Sequence, residues 1–202
     1  MFELTISEDL KLTGLCLSEK TAINGKWITA PGVELFETIN QTLGELPIIA
    51  EDLGIITPEV EKLRDGFEFP GMKILQFAFH SDEKDQYLPH NFTENFVVYT
   101  GTHDNDTLRG WFYSLDHQIK KHVLEYADAT EQLFVKKMIK LAWSSVAKMA
   151  LVPLQDLLEL GSDGRMNTPG TPAGNWQWRF TEDQISEEKI QWLAYLTKIY
   201  NR

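Results

Sequence analysis

The chain has 202 residues, 43% of them hydrophobic and 11% aromatic, which is enough to bury a core of ordinary domain size and is unlike a disordered or fibrous composition. Its formal net charge of −11, from 30 acids against 19 bases, argues against nucleic acid as a partner, because phosphate binding rests on clustered Lys and Arg. Cys16 is the single cysteine, no basic stretch precedes an apolar one near Met1, and no apolar run reaches membrane-spanning length, so a disulfide within the chain is excluded, no membrane partner is expected, and a cytoplasmic location is.

Strand-like and helix-like segments alternate after a less regular start. Leu46–Ala50 reads as a first strand. A helix then opens at Thr57-Pro58-Glu59-Val60-Glu61, with Thr57 as N-cap, Pro58 at the first helical position and acids in the first turn. Lys73–Phe79 reads as a second strand, Phe96–Gly101 as a third and Met149–Leu154 as a fourth, the last preceded by an amphipathic helix from about Glu131 to Ala147. The Pro/Gly-rich stretch Arg165–Gly174 reads as a loop, with Trp176 and Trp178 beyond it. Repeated βα units predict an α/β fold with a parallel sheet. Four such units make half of an eight-stranded barrel, with two unpaired edges and an uncovered inner face. No Gly/Ser linker divides the chain, and one globular unit is the expectation.

Two strings carry chemistry: Ile48-Ile49-Ala50-Glu51-Asp52-Leu53-Gly54 and Val97-Val98-Tyr99-Thr100-Gly101-Thr102-His103-Asp104-Asn105-Asp106-Thr107. In each, an apolar run of strand length stops at an acid followed by turn formers, which is how a parallel strand delivers a carboxylate to an active-site rim. Glu51 or Asp104 taken singly reads as an N-cap or a solvated loop acid; two acids at the ends of such strands, the first and the third, point to acid/base work. Asp106 reads as a structural turn acid, and His103 either as a donor to a ligand or as a loop histidine bonded to backbone. Trp111, Trp176 and Trp178 are open between core packing and stacking on a ligand's face. The string His103-Asp104-Asn105-Asp106 lacks calcium-loop spacing, and the histidines are not paired with cysteine or each other, so no metal is expected.

Ala50–Gly54, Pro70–Phe79, Leu88-Pro89-His90-Asn91, Gly101–Thr107 and Arg165-Met166-Asn167-Thr168-Pro169-Gly170 together resemble the 4-α-glucanotransferases, or amylomaltases, of glycoside hydrolase family 77, in the family's order from about Ser18 to Phe180. The resemblance implies an α/β fold that is the C-terminal half of a TIM (β/α)8 barrel, with residues 18–202 as the partial catalytic domain and 1–17 as a divergent N-terminal segment. It implies retaining transfer of an α-1,4-glucan segment to a sugar 4-hydroxyl, with maltooligosaccharides and α-1,4-glucans as partners and no cofactor. By the same resemblance Glu51 is the acid/base, with a pKa raised by apolar walls or by anionic neighbours such as Asp52 and Asp104. Asp104 is the acid that stabilises the transition state, and His103, Asn167, His90 and Asn91 bind substrate. The family's nucleophile lies in an Arg-Ile-Asp-His-Phe-Arg-Gly-like string that does not occur here. The missing N-terminal half of the barrel is thus a further expected partner, and the isolated chain is expected to be inactive: a glucan-binding or complementing fragment is the competing reading. A plastid location follows if the source is a plant or alga.

Overall fold

Two apolar clusters organise the computed structural model, which describes residues 11–13, 27–54 and 56–202; one cluster lies in each of two units, Met1–Met72 and Lys73–Arg202. The division falls inside a strand, where neither a linker nor a composition shift marks it in the sequence. The boundary expected after residue 17 lies outside the described residues.

In the first unit, β1 (Lys11–Thr13) pairs antiparallel with β2 (Trp27–Thr29), Lys11 opposite Thr29. Two helices follow, α1 (Gly32–Leu43) and α2 (Pro58–Gly66). Phe36 of α1 meets Phe67 and Phe69 at ring-centroid separations of 5.3 and 4.9 Å, and Val60 and Leu63 of α2 complete this cluster. The start of α2 is where the Pro58 signal puts it, and Thr57 holds the extended backbone of an N-cap, although its hydroxyl makes no capping bond. Arg64 of α2 is buried and donates to the carboxylates of Asp52 and Asp65. The other oxygen of Asp52 accepts the Met72 N–H at 2.6 Å.

The strand expected over Leu46–Ala50 does not form; residues 44–50 are irregular. Ala50 donates its N–H to the carbonyl of Pro70 at 2.9 Å, but Pro70 has no N–H to return and Pro47 has none to offer, so no ladder propagates.

The second unit holds the larger core, beneath a three-stranded sheet of order β3-β4-β5 formed by β3 (Gly71–Ile74), β4 (Phe96–Tyr99) and β5 (Met149–Leu151). Strands β4 and β5 run parallel, with Val97 opposite Met149 and Tyr99 opposite Leu151. Every residue of β4 is buried, as a parallel strand covered on both faces should be, whereas Met149 and Leu151 of β5 are exposed. Around the sheet lie α3 (Leu108–Ser114), α4 (His117–Tyr126), α5 (Phe134–Ser144), α6 (Leu154–Leu157) and α7 (Glu187–Ile199). Phe112 of α3 stacks on Phe134 of α5 at 4.3 Å between centroids, and both are almost completely buried.

Three expected elements are shorter than the sequence predicts. The strand expected over Lys73–Phe79 ends at Ile74, and Leu75–Phe77 forms a 3-10 turn from which the buried Gln76 reaches into the neighbouring loop. The strand expected over Met149–Leu154 ends at Leu151, because Pro153 lacks an N–H and begins α6 instead. The helix expected from Glu131 to Ala147 spans Phe134–Ser144. No helix among the described residues is long and apolar enough to cross a membrane.

Candidate active site

The loop between β4 and α3, which carries Asp104, is held by several side-chain hydrogen bonds. Thr107 caps α3 by accepting the Gly110 N–H at 3.1 Å. Asn105 Oδ1 accepts from both the N–H and the hydroxyl of Thr102 at 2.8 Å, fixing the turn that carries His103 and Asp104. A Cβ at Gly101 would stand 2.5 Å from the Gln76 amide nitrogen, so a side chain there would have to displace the amide that donates to the Asp106 carbonyl at 2.8 Å. Asp106 is structural, as its turn context predicts, accepting the Thr107 N–H and the Ser162 hydroxyl, each at 2.7 Å.

Asp104 is half-buried at the tip of this loop. Its Oδ1 accepts from the Asn167 side-chain amide at 2.5 Å and lies 3.4 Å from His103 Nε2. Its backbone carbonyl accepts from Arg165 Nη2 at 2.7 Å, and Arg165 Nε reaches the Asn167 carbonyl at 2.8 Å. The Asn167 N–H in turn donates to the His103 carbonyl at 3.0 Å. The indole of Trp176 sits 5.0 Å from the His103 ring, more than half exposed and on a left-handed backbone at φ +64°. A carboxylate, a ring nitrogen and an exposed aromatic face thus converge, the groups that bind sugar hydroxyls and the apolar faces of pyranose rings.

Three of the residues singled out in the sequence, His103, Asp104 and Asn167, are therefore brought together. His90 and Asn91 belong to another part of the same unit and serve a different loop. His90 bonds the Tyr126 hydroxyl and the Glu83 carbonyl through its two ring nitrogens, both at 2.8 Å, and Asn91 donates to the carbonyls of Glu83 and Asp85. Glu51 lies in the first unit, half-buried, between the buried residues Ala50 and Asp52. Asp52, expected as an anionic neighbour of Glu51, has its charge met by Arg64 and by the Met72 N–H. Trp111 is core, packed against Phe79 and Phe134, and Trp178 stacks on Phe180. Among the described residues no cluster of three or more His, Cys, Asp or Glu is placed to hold a metal ion.

Sequence reasoning missed the residues beneath the loop: Gln76, Ser162, Arg165 as a brace, and above all Asp156. The signal for Asp156 was an acid inside the apolar run Leu151–Leu160, where a solvated carboxylate is out of place. It is 1% exposed, accepting the Thr100 hydroxyl and the Leu108 N–H, each at 2.7 Å. Burial pushes its carboxyl up to about 6, opposed by those two hydrogen bonds and reinforced by the nearby charge of Asp106.

A raised folded-state pKa means that the native state binds the proton more tightly than the unfolded chain, whose aspartate titrates near 3.9. The stability contribution of Asp156 is then fully present below about pH 4 and is lost as pH rises through about 6. Between about pH 7.5 and about pH 5, the protein should gain about 1.4 kcal/mol of unfolding free energy relative to its Asp156→Asn variant. Urea unfolding of both forms at the two pH values checks this, and a difference independent of pH would refute it.

Comparison with known proteins places these residues in context. A sequence profile described as 4-alpha-glucanotransferase matches residues 6–185, reaching beyond both ends of the quoted motifs. A 4-alpha-glucanotransferase of Synechocystis is 52% identical over 192 residues, covering 94% of this chain and 38% of that protein. The chloroplastic/amyloplastic 4-alpha-glucanotransferase of Solanum tuberosum is 53% identical over 162 residues, covering 80% of this chain and 28% of that protein. The amylomaltase of Streptococcus agalactiae in complex with acarbose superposes with a TM-score of 0.87 at 40% identity, covering 92% of this chain and 38% of that one. The chain thus spans less than two fifths of the length of each of these relatives.

Proposed function

The chain belongs to the 4-alpha-glucanotransferase family, and from that premise we propose that the protein carrying it transfers α-1,4-glucan segments to the 4-hydroxyl of an acceptor glucan or glucose with retention of configuration. Retention needs two carboxyl groups about 5–5.5 Å apart, one attacking the anomeric carbon and the other first donating and then accepting a proton. Glu51 is the acid/base. Asp104 holds sugar hydroxyls and stabilises the positive charge that develops at the anomeric carbon. His103 and Asn167 bind substrate beside it, and His90 and Asn91 contribute through the 83–85 turn that they brace. Leaving group and acceptor are both sugar hydroxyls, so acid/base groups suffice without a cofactor.

The observation that carries this reading is the Asp104 site itself: a half-buried carboxylate fixed by Asn167 and flanked by His103, whose ring lies 5.0 Å from that of the exposed Trp176. We place the chain as the C-terminal half of a (β/α)8 barrel. The exposed Met149 and Leu151 of β5, last in the order of its sheet, support that placement, because a closed barrel would cover them and pair the edge. The attacking carboxylate then comes from the N-terminal half. Residues 18–202 form the partial catalytic domain, and the family match, which begins at residue 6, reaches into the segment 1–17 expected to diverge. The location is the cytoplasm of a bacterium, or a plastid, as in the name of the potato relative.

The test is chromatography of maltotriose incubated with the full-length protein. Glucose together with maltopentaose and longer chains is the expected result, and the 202-residue chain alone should give neither. Glucose and maltose without longer products would make the protein a hydrolase, and no products would remove the activity altogether.

A further inference from the structure

Asp156 stands outside the loop whose two ends it holds. Thr100, where β4 ends, donates its hydroxyl to Asp156 Oδ2 at 2.7 Å, and Leu108, where α3 begins, donates its N–H to Oδ1 at 2.7 Å. Between these points run Gly101 to Thr107, with His103 and Asp104 at the tip. Resting on the transferase reading above, we propose that Asp156 is a positioning residue for glucan transfer, whose buried carboxylate clamps both ends of the Thr100–Leu108 loop and so sets where Asp104 meets the sugar.

Three observations support the clamp. The loop interior has its own braces, from Gln76 and Ser162 to Asp106 and from Arg165 and Asn167 to Asp104, so what remains to be fixed is the frame, and Asp156 holds both of its ends. Thr107 spends its capping bond on Gly110, which leaves the Leu108 N–H at the start of α3 to Asp156. The carboxyl is also kept largely ionised at neutral pH although it is buried and faces the like charge of Asp106. An apolar side chain or a neutral amide would serve stability better there, and departures of this kind concentrate at functional sites.

The experiment compares Asp156→Ala, Asp156→Asn and Thr100→Val in the full-length protein, by maltotriose kinetics and by hydrogen exchange of the 101–107 amides. Asp156→Ala should lower kcat about 10²-fold with KM within about threefold, since misplacing a reacting group by about 1 Å has an effect of that size. Thr100→Val, which removes one arm and keeps the shape, should lower kcat about tenfold and speed exchange in the loop. Asp156→Asn should recover most of the loss, because its carbonyl accepts from Leu108 while its amide donates to the Thr100 oxygen. Should Asp156→Ala fail to fold, Thr100→Val decides. Faster exchange with unchanged kcat would make Asp156 a structural brace only and overturn the proposal, as would unchanged exchange in Thr100→Val. Absence of transfer by the unaltered protein would defeat the transferase reading instead, and loop exchange would still decide the clamp.

Discussion

Glu51→Gln in the full-length protein should reduce transfer from maltotriose on the order of 10³-fold while leaving sugar affinity within a few fold. Glutamine keeps the shape and polarity of the side chain but has no proton to give to the departing 4-hydroxyl oxygen, and general acid/base catalysis is worth about 10²–10⁴ in rate. The irregular backbone on either side of Glu51 is held by other groups, Ala50 by the Pro70 carbonyl and Asp52 by Arg64 and the Met72 N–H, and should keep its course in the variant. The defect should therefore be chemical rather than structural. A glycosyl fluoride donor isolates it, because fluoride leaves with little protonation and should restore much of the first step. Lack of rescue with this donor would remove Glu51 from the acid role.

Asp104→Asn should lower kcat about 10²- to 10³-fold by a different route, and the fluoride donor should not restore it. Asn167 donates to one oxygen of Asp104, and the carbonyl of an asparagine would accept the same bond, so the loop keeps its shape. What is lost is the negative charge beside the anomeric carbon, and an oxocarbenium-like transition state loses stabilisation whichever group departs. The two variants are thus told apart by one measurement, the ratio of rates on maltotriose and on the fluoride. Equal rescue would show that the roles of the two acids are misassigned.

Much of the local structure was legible because its causes are local. Pro58 and the acids after it start α2 where expected, the fully apolar Phe96–Tyr99 forms a strand buried on both faces, and the turn residues from Gly101 to Thr107 make the loop that follows it. The strand expected at Leu46–Ala50 failed partly through its own Pro47, which offers no N–H, and partly for a reason outside its own sequence. A strand needs a partner, and the segment that approaches it presents Pro70, which cannot complete a ladder.

The amino-acid sequence by itself determined which acids end apolar runs, the order of the motifs and the family they imply, because these reside in residue identity and spacing. That Asn167 grips Asp104, that His90 and Asn91 brace a different loop, and that Asp156 holds both ends of the Asp104 loop were decided by tertiary structure alone. Hydrogen bonds join residues 63, 56 and 48 positions apart there, and no periodicity or local propensity records such pairings. They exist only once β4, α3 and α6 have packed and excluded the water that would otherwise satisfy each group separately.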